Sequence, residues 1–313
     1  MPASSAPPIA VTGLRKSYGG VEAVRGVSFR VERGSIFGLI GPDGAGKTTI
    51  LRTVVSLLSF DSGQVQFCGQ AVDRNPVYVR SRIGYMPQRF SLYQDLSVVE
   101  NLRFFGDLFG VPRRELGQRL ARLYEFSGLA PFKARRAGAL SGGMKQKLAL
   151  SCMLVHSPEV LVLDEPTFGV DPVSRGELWD ILRALRDQGS AVLVSTAYMD
   201  EALLCDRVAL VFEGRILAEE SPRELAARYD EPLYLVETPA AHRAYVELER
   251  SLLCGQCNLF GDGVHITLRP GVTTTEVAER LAGGEVEFRP PRPIVPGLED
   301  LFLKLMKQGS GHG

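Results

Sequence analysis

Gly41-Pro42-Asp43-Gly44-Ala45-Gly46-Lys47-Thr48 follows the apolar run Ile36-Phe37-Gly38-Leu39-Ile40 and opens an amphipathic stretch over 46–58. The octet fits G-x-x-x-x-G-K-[ST], and its setting after a strand and before a helix separates it from a ligand-free glycine-rich turn. The glycines let consecutive backbone N–H groups converge on phosphate oxygens, and the helix N-terminus adds a favourable field. Lys47 is then expected to reach the β/γ-phosphates and Thr48, followed by Thr49, to offer its hydroxyl to Mg²⁺. A chain carrying this element is expected to bind a nucleotide.

Around it, short apolar runs alternate with amphipathic stretches. Strands are predicted at 36–40, 83–86, 160–164, 191–195 and 207–212, and helices at 46–58, 97–109, 112–127, 141–156, 172–188 and 198–204. Runs apolar throughout suit strands buried on both faces of a mostly parallel sheet. Pro172, after Asp171, sits where a helix start tolerates it. The run Val160-Leu161-Val162-Leu163 ends in Asp164-Glu165. A carboxylate at such an edge can hold Mg²⁺ through water, which is expected of Asp164, and Glu165 is placed to polarise an attacking water. A merely solvated acid pair is the alternative, disfavoured because a phosphate loop needs a metal-holding acid in such a place.

Between these elements lies Leu140-Ser141-Gly142-Gly143-Met144-Lys145-Gln146. Ser141 and two glycines ahead of a long helical pattern form a second exposed helix tip, a second anion cradle. One nucleotide does not need two cradles, so the second fits a nucleotide held by another subunit. Taken together these motifs resemble the ATP-binding cassette (ABC) ATPases over about residues 9–225. The resemblance implies a P-loop NTPase (RecA-like) α/β core with antiparallel β and helical subdomains. It implies head-to-tail pairing with a second cassette, as a homodimer or heterodimer, ATP and Mg²⁺ lying between one loop and the other Ser141–Gly143 tip. Under it Tyr18 is expected to stack on adenine, Gln88 to touch Mg²⁺ and link the site to a membrane partner, and Asp171 to lie where the pair meets. The expected nucleotide contacts are thus Tyr18, Gly41, Pro42, Asp43, Gly44, Ala45, Gly46, Lys47, Thr48, Thr49, Ser141, Gly142 and Gly143. Thr48, Gln88 and Asp164 would surround the metal, and Glu165 with Lys47 and Gln88 would serve catalysis.

Three positions depart from the family pattern. Asp43 replaces the usual Asn or Ser and is expected to turn away from the phosphates, since like charges in a partly dry site repel strongly. Met144 replaces a Gln at a position expected to be exposed. Ala197, in Thr196-Ala197-Tyr198-Met199-Asp200, stands where the family has a switch histidine that contacts the γ-phosphate. A methyl group cannot donate a hydrogen bond, and losing one preorganised donor costs ~10²–10³ in rate. ATP binding is expected to survive and hydrolysis to be weakened, whether the alanine is natural or engineered.

Composition narrows the function further. Lys+Arg and Asp+Glu are both 36 in 313 residues, so the excess basic charge of a nucleic-acid binder is missing. No apolar run approaches the ~18–20 residues of a spanning helix, and the first residues, MPASSAPPIA, lack signal-peptide regions. A cytosolic chain is expected, held at the cytoplasmic face of the cell membrane by separate integral permease subunits. The stretch 89–112 resembles the helical subdomain of bacterial multidrug and antibiotic exporter cassettes, and the ending PGLEDLFLKLM resembles daunorubicin-type exporter cassettes. Phe104, Phe105 and Phe109 could line a groove for the permease or simply belong to the core. Arg113, Arg114 and Glu115 read as a solvated face. The expected activity is ATP hydrolysis coupled to export, the alternatives being a soluble ABC-type ATPase or a nucleotide-sensing module.

From about residue 231 the texture changes. Strand 233–238, helix 240–253, strands near 257–260 and 264–268, helix 273–282, strand 285–289 and helix 297–307 give βαββαβα, the order of a ferredoxin-like α+β unit with one added helix. The boundaries read as a loose 1–8, a nucleotide-binding domain over 9–229, an accessory domain over 230–308 and a flexible 309–313. Five cysteines argue against a disulfide framework, and Cys254-x-x-Cys257 with His265 lacks a second pair for a structural zinc.

Overall fold

The structure, a computed structural model, describes residues 6–89, 92–261 and 263–310. Most of the N-terminal stretch expected to be loose, the end of the C-terminal tail, and Phe90 and Ser91 of the exporter-like segment lie outside the described residues. Two compact units divide after Pro222, ahead of the 230 boundary read from the texture of the sequence.

The first unit opens with a hairpin, β1 (Ile9–Tyr18) and β2 (Val21–Val31), followed by β3 (Ser35–Ile40), α1 (Lys47–Val54), β4 (Ser62–Phe67), β5 (Gln70–Ala71), α2 (Pro76–Arg80) and β6 (Ile83–Met86). Three helices come next, α3 (Val98–Leu108), α4 (Arg113–Ser127) and α5 (Gly142–Leu154). The unit then runs β7 (Val160–Asp164), α6 (Pro172–Asp187), β8 (Ala191–Thr196), α7 (Met199–Ala202), β9 (Arg207–Phe212) and β10 (Arg215–Glu220). β3, β6, β7, β8 and β9 form a parallel sheet in the order β10-β9-β3-β8-β7-β6, with β10 antiparallel at one edge. Every residue of β7 and β8 is buried, which explains their continuous apolar runs.

A second, antiparallel sheet has the order β2-β1-β4-β5. Its inward residues Val11, Leu14, Val27, Phe29 and Val65 share one core with Ile50 and Leu51 of α1 and with Phe37, Val162 and Val211 of the parallel sheet. The phosphate-loop helix is therefore clamped in that shared core. α3, α4 and α5 enclose a separate cluster around Leu102, Leu123 and Leu148. Ser97 starts α3 through a capping box with Glu100, which satisfies two helix-end N–H groups at once. Arg113 and Arg114 are exposed on α4.

The second unit begins within α8 (Pro222–Ala227) and continues through β11 (Leu233–Glu237), α9 (Ala241–Arg250), β12 (Cys254–Phe260), β13 (Gly263–Leu268), α10 (Thr274–Gly283), β14 (Arg292–Ile294) and α11 (Leu298–Ser310). Its antiparallel sheet has the order β12-β13-β11-β14, the arrangement of a ferredoxin-like split βαβ unit. The expected strand 285–289 is not formed. Glu285 takes a left-handed φ of 52°, and Pro290 and Pro291 lack the N–H that a ladder needs. Pairing with β11 is made instead by Arg292, Pro293 and Ile294, an edge position where proline is tolerated. α11 continues through Ser310, past the expected start of the tail at 309. Cys254 and Cys257 are buried in the core of this unit. His265 Nδ1 lies 2.7 Å from Asp300 Oδ1. Among the described residues no helix is long and apolar enough to cross a membrane.

Candidate functional site

Strand register assembles the site. Ile40 of β3 pairs with Thr196 of β8, and Asp164 of β7 pairs with Ser195. Three adjacent parallel strands thus end together, and Gly41, Glu165 and Ala197 each leave the sheet at this edge. Such a carboxyl edge is the general ligand-binding position of open α/β sheets.

The loop after β3 requires its glycines. A Cβ on Gly41 would fall 2.1 Å from the Val211 carbonyl oxygen, and one on Gly46, at φ 102°, would fall 2.6 Å from that of Ala23. Lys47, 4% exposed, donates from Nζ to the carbonyls of Gly41 (2.7 Å) and Pro42 (3.0 Å) and lies 3.1 Å from Glu165 Oε1. Gln88 Nε2 donates to the other Glu165 oxygen at 2.8 Å. Glu165 is buried too and has φ 48°, a left-handed conformation that a non-glycine residue holds only when its surroundings over-determine it. Asp43 through Thr49, with Ala23, Gln88 and Glu165, line a cavity of about 370 Å³. Asp43 is exposed at the rim of that cavity.

Asp164 is 1% exposed. Its Oδ1 accepts from Thr48 Oγ1 at 3.1 Å and from Ser195 Oγ at 2.6 Å, while Oδ2 is buried without a protein partner. Burial pushes this carboxyl above the ordinary aspartate value, against the two hydroxyl donors that lower it. A buried carboxylate with an unpartnered oxygen beside a threonine hydroxyl is a hard-oxygen donor set, and it fits Mg²⁺.

Ser141, Gly142 and Gly143 do not line this cavity. Ser141 caps α5, its Oγ accepting from the Met144 N–H at 3.3 Å, and Ser141 and Gly142 are exposed. A Cβ on Gly143 would lie 2.3 Å from Ser174 Cβ and Oγ, so glycine lets the tips of α5 and α6 meet. Asp171 caps α6 by accepting from the Ser174 N–H at 2.9 Å, a bond that holds its carboxyl below the usual range. Met144 is half-buried against the helical cluster rather than exposed, because it shares the inward stripe of Leu148 and Cys152 at four-residue spacing. Gln88 also lines a second cavity of about 220 Å³ beside Gly142, Lys145 and Gln146.

Tyr18 is 47% exposed, its ring 5.5 Å from the Lys16 ammonium and outside the cavity lining. Ala197 is exposed beyond β8, and the Tyr198 N–H turns back to Thr196 Oγ1 at 3.0 Å. The aromatic run on α3 divides. Phe105 packs on the helical core, whereas Phe104 and Phe109 are 37% and 36% exposed. Phe104 meets Tyr93 edge-on at 4.6 Å, and Phe109 stacks on His156 at 3.9 Å. Sequence reasoning missed Ser195. Its signal was a pair of hydroxyls, Ser195 and Thr196, closing an otherwise apolar buried run.

Comparison with known proteins identifies the family. Residues 24–168 match the ABC transporter family. The probable multidrug ABC transporter ATP-binding protein YbhF of Escherichia coli is 40% identical over 95% of the chain, but the chain spans only 52% of YbhF. The Nod factor export ATP-binding protein I of Ralstonia nicotianae is 36% identical, covering 96% of the chain and 94% of the relative. The ADP conformation of MJ1267, an ATP-binding cassette of an ABC transporter, superposes with a TM-score of 0.65 at 26% identity, over 70% of this chain and 93% of that one. The chain belongs to the ATP-binding subunits of the ABC transporter family.

Proposed function

We propose that the chain binds and hydrolyses ATP to drive a separate membrane permease of exporter type, through ATP-dependent pairing of two cassettes. The observation that carries this reading is the convergence of Lys47, Gln88 and Glu165 on one cavity beside the Thr48–Asp164 pair. The relatives named for multidrug and Nod factor export support the exporter class.

The loop N–H groups from Gly44 to Thr48 would receive the phosphates, with Lys47 Nζ exchanging Glu165 for β/γ-phosphate oxygens. Thr48, Gln88 and Asp164, the last through water, would hold Mg²⁺, which when bound would neutralise charge developing on those oxygens. Glu165, released from Lys47 but still bonded to Gln88, would accept a proton from the attacking water at a carboxylate oxygen. Tyr18 would stack on the adenine of a bound nucleotide. Ser141–Gly143 and the Asp171 tip would cover the nucleotide of a second cassette, in a homodimer or heterodimer. The exposed Phe168 and Val173 beside Asp171 (57% and 74%) supply apolar area for that pairing. Phe104, Leu108 and Phe109 form the exposed apolar edge of α3 that would receive the permease, keeping the chain at the cytoplasmic membrane face.

Ala197 specifically favours a second reading, a nucleotide-responsive module with very slow turnover. Lys47→Ala tests both, because each requires ATP binding. Calorimetric titration is expected to show ATP affinity lost, and retained tight binding would remove the loop assignment. ATPase assay after copurification with a permease separates the readings.

A further inference from the structure

Resting on the ATPase reading above, we propose that Ser195 is a positioning residue of the reaction. It sets both the Asp164 carboxylate and the Glu165 backbone from the strand end that also bonds the phosphate loop. β8 lies between β3 and β7, and Ser195 pairs with Leu39 on one side and Asp164 on the other. The preceding residues of β8 are Ala191, Val192, Leu193 and Val194, buried Thr196 follows, and Ser195 itself is 0% exposed. A hydroxyl in such surroundings is costly unless its hydrogen bonds are made. Here the acid pair makes all of them. Oγ donates to Asp164 Oδ1 at 2.6 Å and accepts from the Glu165 N–H at 3.1 Å, which also reaches the Ser195 carbonyl at 3.1 Å.

Two consequences follow from this geometry. Ser195 from the sheet and Thr48 from α1 both donate to Asp164 Oδ1, so the carboxylate is fixed from two elements and Oδ2 is left as the oxygen with no protein partner. The Glu165 N–H, anchored twice by Ser195, holds the left-handed φ of 48° from which the side chain meets Lys47 and Gln88. One residue on, the Thr196 carbonyl accepts from the Gly41 N–H at 3.2 Å. The end of β8 therefore ties the loop and the acid pair to one support, immediately before Ala197. With no histidine at that position, Ser195 is the polar side chain through which β8 acts on the acids.

The test uses the full chain with Ser195→Ala, Ser195→Thr and Lys47→Ala. The readouts are melting temperature, ATP affinity in EDTA and in Mg²⁺, and the Mg²⁺ concentration that half-saturates ATP binding and turnover. A serine that only fills and satisfies the core would shift melting and leave the Mg²⁺ requirement alone. Ser195→Ala is expected to keep ATP affinity in EDTA, and to raise the Mg²⁺ requirement and lower turnover by ~10-fold or more, as outer-shell partners of metal sites typically do. Ser195→Thr, which restores the hydroxyl, recovers most of both. The proposal is overturned if folded Ser195→Ala keeps the native Mg²⁺ requirement and turnover, or if folded Ser195→Thr is no better than alanine. Lys47→Ala separates the failures. If it binds ATP as well as native, the site reading is wrong; if it loses ATP while Ser195→Ala behaves as native, only the role of Ser195 is.

Discussion

Glu165→Gln isolates the contact that competes with the substrate for Lys47. The two charges lie 3.1 Å apart, with side chains 4% and 8% exposed. Unit charges at that distance attract by about 5 kcal/mol at an effective dielectric near 20. Most of this offsets the desolvation of both groups, and a charge-assisted hydrogen bond nets roughly 1.5–3 kcal/mol. Lys47 keeps its bonds to the Gly41 and Pro42 carbonyls in the variant, so the ammonium stays in place. A neutral amide beside it surrenders the lysine to phosphate more easily and removes a negative charge from the cavity. ATP affinity should rise by about 10- to 100-fold, the equivalent of that net energy. Turnover should fall by ~10²–10⁴, the usual contribution of a general base. Calorimetry and phosphate release measure the two. Affinity unchanged within about twofold would show that the pair does not compete with phosphate, and unchanged turnover would show that Glu165 is not the base.

Ala197→His should raise ATP turnover at least ~10-fold by restoring a donor at the oxygen where charge develops; phosphate-release assays giving no increase would place the limit elsewhere. Gly143→Ala, which pushes a methyl into Ser174, should leave ATP binding by the single chain within about twofold, a change below ~0.5 kcal/mol. It should weaken ATP-dependent pairing measured by light scattering. Asp171→Ala should lower the melting temperature at pH 7 by removing the α6 cap. Because the Asp171 carboxyl is held below its ordinary value of 3.8, its stabilisation is complete above that value and fades as pH falls through the folded one. The melting difference should therefore close in acid.

The elements legible in the sequence were those whose burial writes a simple period. β3, β6, β7, β8 and β9 read as continuous apolar runs, and α6 begins at the expected Asp171-Pro172 junction. The antiparallel sheet was implied by family resemblance rather than by pattern. β1 and β2 carry irregular pairings that break strict alternation, with shifts between Val11 and Leu14 and between Lys16 and Ser17. β14 was misplaced because Val286 and Phe288 supply strand-like apolar residues while the prolines after them decide where pairing occurs. Within the site, residue types at fixed spacing named the loop and the acids in advance. The hydroxyl of Ser195 could not be seen that way, since its partners come from strand register between segments thirty-one residues apart. The half-buried Met144 has a similar cause: its environment is set by what packs beside α5, not by its neighbours in sequence.

Cysteines placed at the exposed positions 43 and 141 of two separately tagged copies would test whether the loop of one copy meets the helix tip of the other. With Asp43→Cys in one copy and Ser141→Cys in the other, ATP should produce a short-linker crosslink between the differently tagged chains, and omission of nucleotide should abolish it. Failure to crosslink in saturating ATP, or crosslinking indifferent to ATP, would contradict a nucleotide shared between two cassettes.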